Sequence, residues 1–181
     1  MSRKWSARSL GNLAGIHPDL RRVMDRALQE SPVDFIVIEG LRDRARQTEL
    51  VKSGASRTMN SRHITGHAVD ILPIGLDGKG AFDWVLYRQL APAVKGAAMA
   101  ENVPLDWGGD WKSFRDGPHF ELNRAAYPAG DLGHVTETPK SEHVAPVMLT
   151  PVAGQEPAAA GKWQWLTDLL AFIVAWFRGR G

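Results

Sequence analysis

Ser61-Arg-His-Ile-Thr-Gly-His-Ala-Val-Asp70 places two histidines four residues apart, a glycine between them and a carboxylate just beyond. On a helix, His63 and His67 would share a face, as zinc-protease ligands do. The glutamate that follows the first histidine in that motif is Ile64 here, and Gly66 would weaken the helix by about 1 kcal/mol. The strand reading is better. His63 ends a loop, Gly66 lets the backbone turn, and Ala68, Asp70 and Leu72 then lie on one face of a strand. Asp70 projects beside His63, small Ala68 leaves room for a metal, and His67 falls on the opposite face.

The pattern on either side predicts the elements around that strand. Pro18 suits a first helical turn, and Leu20, Val23, Met24, Ala27 and Leu28 recur at helical spacing until Ser31-Pro32 stops them. Asp34 to Glu39 is a short, β-branched apolar run that reads as a buried strand leading to Gly40 and Arg42. Asp43 to Lys52 reads as a helix ending at Gly54. Gly66 to Leu72 is the second strand, and Pro73 to Gly80 a turn-rich connection. Phe82 to Ala100 predicts a long helix with Trp84, Val85, Tyr87, Leu90, Val94 and Ala98 toward a sheet. After Leu-Asp-Trp-Gly-Gly-Asp-Trp111, Pro118 to Leu122 reads as a third strand. The alternation over roughly residues 15–128 implies an α+β domain with a small sheet; the fold expected is a small antiparallel sheet flanked by helices with a metal site on the sheet.

Bulk properties bound the rest. A chain of 181 residues, 44% hydrophobic and 23% charged, holds one compact domain and at most a tail. Net charge is only +2, yet residues 1–62 carry twelve Lys/Arg against seven Asp/Glu. That excess suits an anionic surface such as nucleic acid, anionic lipid or bacterial cell wall, or is simply a solvated basic face. With no cysteine, disulfides play no part and any metal must sit on histidines and carboxylates. The first eight residues lack the apolar core of a secretory signal, so Sec export is not expected. No nucleic-acid motif accompanies the basic residues, and no nucleic-acid partner is expected.

A third ligand lies in Asp116-Gly-Pro-His-Phe-Glu-Leu122, where His119 and Glu121 share a face while Phe120 and Leu122 point into the core. Two histidines, one aspartate and a water make the open tetrahedral set of a catalytic zinc. Asp116, in the loop entering that strand, is placed to handle the water's proton. Arg42 either pairs with Glu39 or Asp43 or enters the site. Trp107, Trp111 and Phe114 are core or cleft wall. The other histidines, His17, His67, His134 and His143, are read as structural or surface residues.

Ser-x-His-x-x-Gly-x-Ala-x-Asp followed by Asp-x-Pro-His-Phe-Glu-Leu resembles the zinc D,L/D,D-peptidase family of bacterial cell-wall enzymes (peptidase M15), and most closely its phage endolysin branch of L-alanyl-D-glutamate endopeptidases. His17-Pro-Asp-Leu20, Phe35 to Gly40-x-Arg42, Gln47-x-x-Leu50 and Trp107-Gly-Gly-Asp-Trp111 agree with it over about Ser9 to Tyr127. The resemblance implies one zinc ion on His63, Asp70 and His119, Asp116 as general acid and base, Arg42 steadying the scissile carbonyl, and Ser61 in support. The D,D-dipeptidase branch usually has Glu where Asp116 stands. The implied activity is cleavage of the L-Ala–D-Glu bond of the peptidoglycan stem during host lysis. The rivals are a D-Ala-D-Ala carboxypeptidase or dipeptidase and a non-catalytic, zinc-bearing wall-binding module.

The tail lies outside the resemblance. A peptidase domain over 1–130 is expected to be followed by a Pro/Ala/Thr/Gly-rich linker, 131–161, and a hydrophobic helix, 162–181. Trp163 to Phe177 would be about 22 Å long as a helix, short of a ~30 Å hydrocarbon core. Flanked by Lys162, Arg178 and Arg180, it predicts contact with a membrane, as an interfacial helix or a short span whose cations snorkel, against docking on its own domain or on a second subunit. The expected setting is a monomer made in the host cytoplasm and acting on periplasmic peptidoglycan.

Overall fold

In the computed structural model, which describes residues 2–128, the chain begins with a short helix, α1 (Ala7–Asn12). Six residues are too few to hold a helix in water. Here the Ser6 hydroxyl caps the amide of Ser9 at 3.1 Å, and the helix is fastened to the first strand, β1 (Phe35–Glu39). The Val37 amide donates to Ser9 Oγ at 3.2 Å and the Asn12 side chain donates to the Val37 carbonyl at 2.8 Å. The free edge of β1 is thereby closed by side chains.

Helix α2 (Pro18–Glu30) starts with proline in its first turn and buries Leu20, Val23, Met24, Ala27 and Leu28, the five positions that its periodicity predicts. Helix α3 (Arg44–Lys52) is capped by the Asp43 carboxylate at 2.7 Å from the Arg46 amide. Strand β2 (Ala68–Pro73) follows, then α4 (Trp84–Ala100), β3 (Leu105–Trp107) and β4 (His119–Leu122). The four strands form one antiparallel sheet in the order β1-β2-β4-β3. The α+β class and the antiparallel sheet are as the sequence predicts.

One face of the sheet and one stripe of α2 and α4 share a single core, with Phe35, Val37, Val69, Ile71, Phe120 and Leu122 supplied by the strands. Trp107 stacks on Phe120 with ring centroids 6.0 Å apart, which assigns this tryptophan to the core. Val85 departs from expectation. It is 53% exposed, because α4 rests its Tyr87–Leu90–Ala91–Val94 stripe on the core and turns Val85 away. The opposite sheet face carries Ala68, Asp70, His119 and Glu121, and the register sets Asp70 directly across from His119 and Ala68 across from Glu121.

Among the described residues no helix is long and apolar enough to cross a membrane. The linker over 131–161, the C-terminal helix over 162–181 with its Trp163–Phe177 membrane contact, His134 and His143 lie outside the described residues.

Candidate active site

His63 is delivered by a single 3₁₀ turn, Arg62–Thr65, rather than by an open loop. Ser61 caps the turn, its hydroxyl accepting from the His63 amide at 3.4 Å, and the Arg42 amide donates to the His63 carbonyl at 3.0 Å. Gly66 ends it at φ +69°, in the left-handed region that costs glycine least. A Cβ at Gly66 would also stand 2.5 Å from the Gly15 carbonyl oxygen. The chain thus reverses in one residue and enters β2 with Asp70 beside His63.

Three ligand-type atoms converge. His63 Nε2 lies 3.3 Å from His119 Nδ1 and 3.3 Å from Asp70 Oδ1, and His119 Nδ1 lies 3.1 Å from Asp70 Oδ1. Ligands held tetrahedrally at about 2.0–2.1 Å from zinc stand about 3.3–3.4 Å from one another, so this triangle fits one face of such a site. Among the described residues it is also the one group of three such side chains within reach of a single ion.

The outward sides of both rings are committed. His63 Nδ1 sits 2.7 Å from the Gly40 carbonyl, which can only accept, so Nδ1 donates there and Nε2 is the nitrogen turned toward Asp70 and His119. His119 Nε2 donates to Glu121 Oε2 at 3.0 Å, which directs Nδ1 inward. Glu121 is itself gripped by Arg124 at 2.8 and 3.2 Å. Burial alone would raise the Glu121 carboxyl, yet His119 and Arg124 bring it down to about 2.

Charge at the centre follows the same contacts. Burial disfavours a charged His119, but its bonds to Asp70 and Glu121 outweigh that and hold its pKa up at about 10. Asp70 is opposed by burial and nonetheless kept well below the usual carboxylate range by His63 and His119. A cation is thus held where a metal ion would replace its proton.

Asp116 is brought to the same centre by the loop before β4. Its amide donates to the Gly108 carbonyl at 3.0 Å, and the Trp107 indole donates to the Gly117 carbonyl at 2.8 Å. Gly108 is needed for the approach, since a Cβ there would stand 2.6 Å from the Asp116 carbonyl oxygen and 3.2 Å from His119 Cβ. Burial, and then repulsion from Asp70, push the Asp116 pKa up to about 6.

Arg42 pairs with Glu39 and also approaches a member of the triad. It is buried, pairs with both Glu39 oxygens at 2.7 and 2.6 Å, and reaches Asp70 Oδ2 at 3.4 Å. Gln47, which sequence reasoning met only as part of the resemblance, accepts from Arg42 Nη1 at 2.7 Å and is fully buried. Its amide donates to Ser56 Oγ at 2.8 Å and to the Thr58 carbonyl at 2.6 Å. For Glu121 the sequence predicts only a face shared with His119, and its neighbour in space, Arg124, carries no signal. Trp111 is cleft wall, with its ring 5.2 Å from that of His119. His67 stays apart from the triad, buried with its ring 5.1 Å from that of His17.

Residues 1–136 match the family described as phage L-alanyl-D-glutamate peptidase. The chain is 34% identical over 141 residues to the L-alanyl-D-glutamate peptidase of Escherichia phage T5, covering 75% of this chain and 98% of that one. It is 31% identical to the L-alanyl-D-glutamate peptidase of Listeria phage A118, covering 78% of this chain but only 50% of that relative's length. The crystal structure of Serratia marcescens L-Ala D-Glu endopeptidase ChiX superposes with a TM-score of 0.66 at 48% identity, over 71% of this chain and 96% of that one. A family match across three quarters of the length, on the domain that carries the triad, places the chain in the phage L-alanyl-D-glutamate peptidase family.

Proposed function

We propose that this chain is a zinc-dependent peptidoglycan endopeptidase that hydrolyses the L-Ala–D-Glu bond of the stem peptide, a phage or prophage endolysin acting in host lysis. The observation that carries the reading is the triangle of His63 Nε2, Asp70 Oδ1 and His119 Nδ1, its edges 3.1–3.3 Å, with Asp116 beside it. Relatives over the same stretch are named for this bond.

His63, Asp70 and His119 would hold the ion, which when bound supplies Lewis acidity and an acidified water at neutral pH. Asp116, with its pKa at about 6, is ionised at neutral pH and accepts the proton of the attacking water. The same carboxyl then delivers that proton to the leaving amine of D-Glu. Arg42, held flat by Glu39 and Gln47, steadies the scissile carbonyl. No side-chain nucleophile is required.

The deciding experiment is mass spectrometry of fragments released from purified Gram-negative peptidoglycan by zinc-loaded protein, with chelated protein and Asp116→Ala alongside. Glycan strands bearing only L-Ala, with peptides beginning at D-Glu, are the expected products. Loss of terminal D-Ala alone would move the chain to the carboxypeptidase reading, and no release under any metal would favour the wall-binding module. Around this activity we place a peptidase domain over 1–130, a linker over 131–161 and a membrane-contacting helix over 162–181, in a monomer made in the host cytoplasm that reaches periplasmic peptidoglycan.

A further inference from the structure

The leaving residue of the proposed reaction carries a charge that none of the groups assigned so far receives. In an L-Ala–D-Glu bond the D-Glu nitrogen belongs to the scissile amide, and the peptide continues through only one of its two carboxyl groups. Unless it is amidated, a free carboxylate therefore sits on the leaving side, and a site that reads it needs a cation not already neutralised.

The cations near the triad are mostly spent. Arg42 is clamped by both oxygens of Glu39. Arg124 is ion-paired with Glu121. Arg62 is buried and donates to the Leu122 and Tyr127 carbonyls at 3.3 and 2.8 Å. Arg57 differs from all three. It is exposed and forms no ion pair among the described residues, as is also true of Lys112 and Arg115, but unlike them it holds its guanidinium against a ring, 4.3 Å from the centroid of Phe114.

Its placement follows from contacts on both sides. The neighbours of Arg57, Ser56 and Thr58, both accept from the Gln47 amide, Gln47 accepts from Arg42, and Arg42 reaches Asp70. The Arg57 backbone is thereby tied to a metal-site carboxylate through two side chains. At its other end, Phe114 lies two residues before Asp116. The side chain joins the loop that leads to His63 with the loop that leads to Asp116 and His119. A guanidinium stacked on an aromatic face keeps its edge N–H groups free, in the planar fork that matches a carboxylate.

We propose that Arg57 is a specificity residue that receives the free carboxylate of the leaving-side D-Glu. This inference rests on the L-Ala–D-Glu endopeptidase reading, and its test separates the two. The substrates are a soluble stem peptide and its counterpart in which that free carboxylate is a carboxamide. Full-length zinc-loaded wild type, Arg57→Ala, Arg57→Lys and Arg115→Ala are compared by kcat and KM, with zinc content measured for each. Arg115 is exposed on the same loop as Phe114 and serves as the control cation.

Wild type should prefer the carboxylate roughly 10–100-fold in kcat/KM, as expected for a charge-assisted bidentate contact. Arg57→Ala should lose that preference through KM and leave cleavage of the carboxamide unchanged. Arg57→Lys should recover part of it, and Arg115→Ala should match wild type. The proposal is overturned if Arg57→Ala keeps the preference, if it weakens both substrates equally, if Arg115→Ala abolishes the preference instead, or if wild type cleaves both peptides alike. Cleavage of neither peptide by zinc-loaded wild type would overturn the endopeptidase reading itself, and this inference with it.

Discussion

Glu121 should set how tightly the centre holds its ion. Its carboxylate accepts from His119 Nε2 at 3.0 Å, and the side chain is 5% exposed, shielded from bulk water. In Glu121→Ala the His119 N–H is left buried without an acceptor, a loss of about 1–3 kcal/mol, and the ring is free to turn its Nδ1 away from Asp70. At about 1.4 kcal/mol per decade this predicts zinc binding weaker by roughly 10–100-fold, the range usual for such outer partners of metal-bound histidines. Glu121→Gln keeps an acceptor but not the charge and should lose less, about 3–10-fold, since a charge-assisted bond is roughly twice as strong as a neutral one. The partner set free, Arg124, has a side chain 53% exposed and loses little on its own. Competition against a chelating dye gives the affinities, with thermal melts of the chelated proteins to confirm that each variant folds. If both folded variants bind zinc as wild type does, Glu121 does not orient His119 and the metal-site assignment of His119 Nδ1 is wrong.

Asp116→Ala should retain zinc and lose about 10²–10⁴-fold in kcat, measured on a soluble stem peptide; full activity would remove Asp116 from the mechanism. Asp116→Asn should stabilise the chelated protein. The folded pKa of about 6 lies above the unfolded 3.8, so ionisation costs stability that is lost between about pH 4 and 6 and stays lost above. Partial solvent exposure of the side chain limits the gain to about 1–3 kcal/mol at pH 7, vanishing near pH 3, in urea melts. For His119 the sign is opposite. Its pKa is raised from 6.5 to about 10, so the stabilisation is complete below pH 6.5 and drains away as pH rises through 10, visible as alkaline destabilisation of chelated protein. Gly108→Ala should lower kcat more than it lowers the melting temperature, because the new methyl meets Asp116 and His119 rather than the core. Finally, a chain ending at Gly130 should partition onto anionic liposomes less than the full chain; equal partitioning would end the membrane role proposed for Trp163–Phe177.

Local chemistry made a good part of this protein readable. Helix α2 is legible because a 3.6-residue apolar stripe must face a core, and Leu20, Val23, Met24, Ala27 and Leu28 do. Strands β1, β2 and β4 are legible as short apolar or alternating runs, and the residue types at 63, 70 and 119, with the family resemblance, point to the candidate ligands. Elements that exist only through partners were not legible. Helix α1 has no independent stability and stands because Ser9 and Asn12 bond to the edge of β1. Strand β3 is three residues long, too short to show an alternation, and is defined by its pairing with β4. Val85 has the composition of a core position and is exposed because the rotation of α4 is set by what it packs on.

Tertiary structure also decided the second layer of the site. Gly40 and Gln47 stand in the sequence only as parts of the resemblance and Arg124 in none of it, and what each does for the candidate ligands rests on hydrogen bonds whose partners are fixed by packing. The decisive case is the register of β2 on β4, which sets Asp70 opposite His119 across 49 residues of chain. A slip of one residue would send every side chain of β2 to the other face. The residue types of the centre were written along the chain, but the coincidence of their atoms is a property of the packed sheet, where burial of Val69, Ile71, Phe120 and Leu122 on one face obliges Asp70 and His119 to meet on the other.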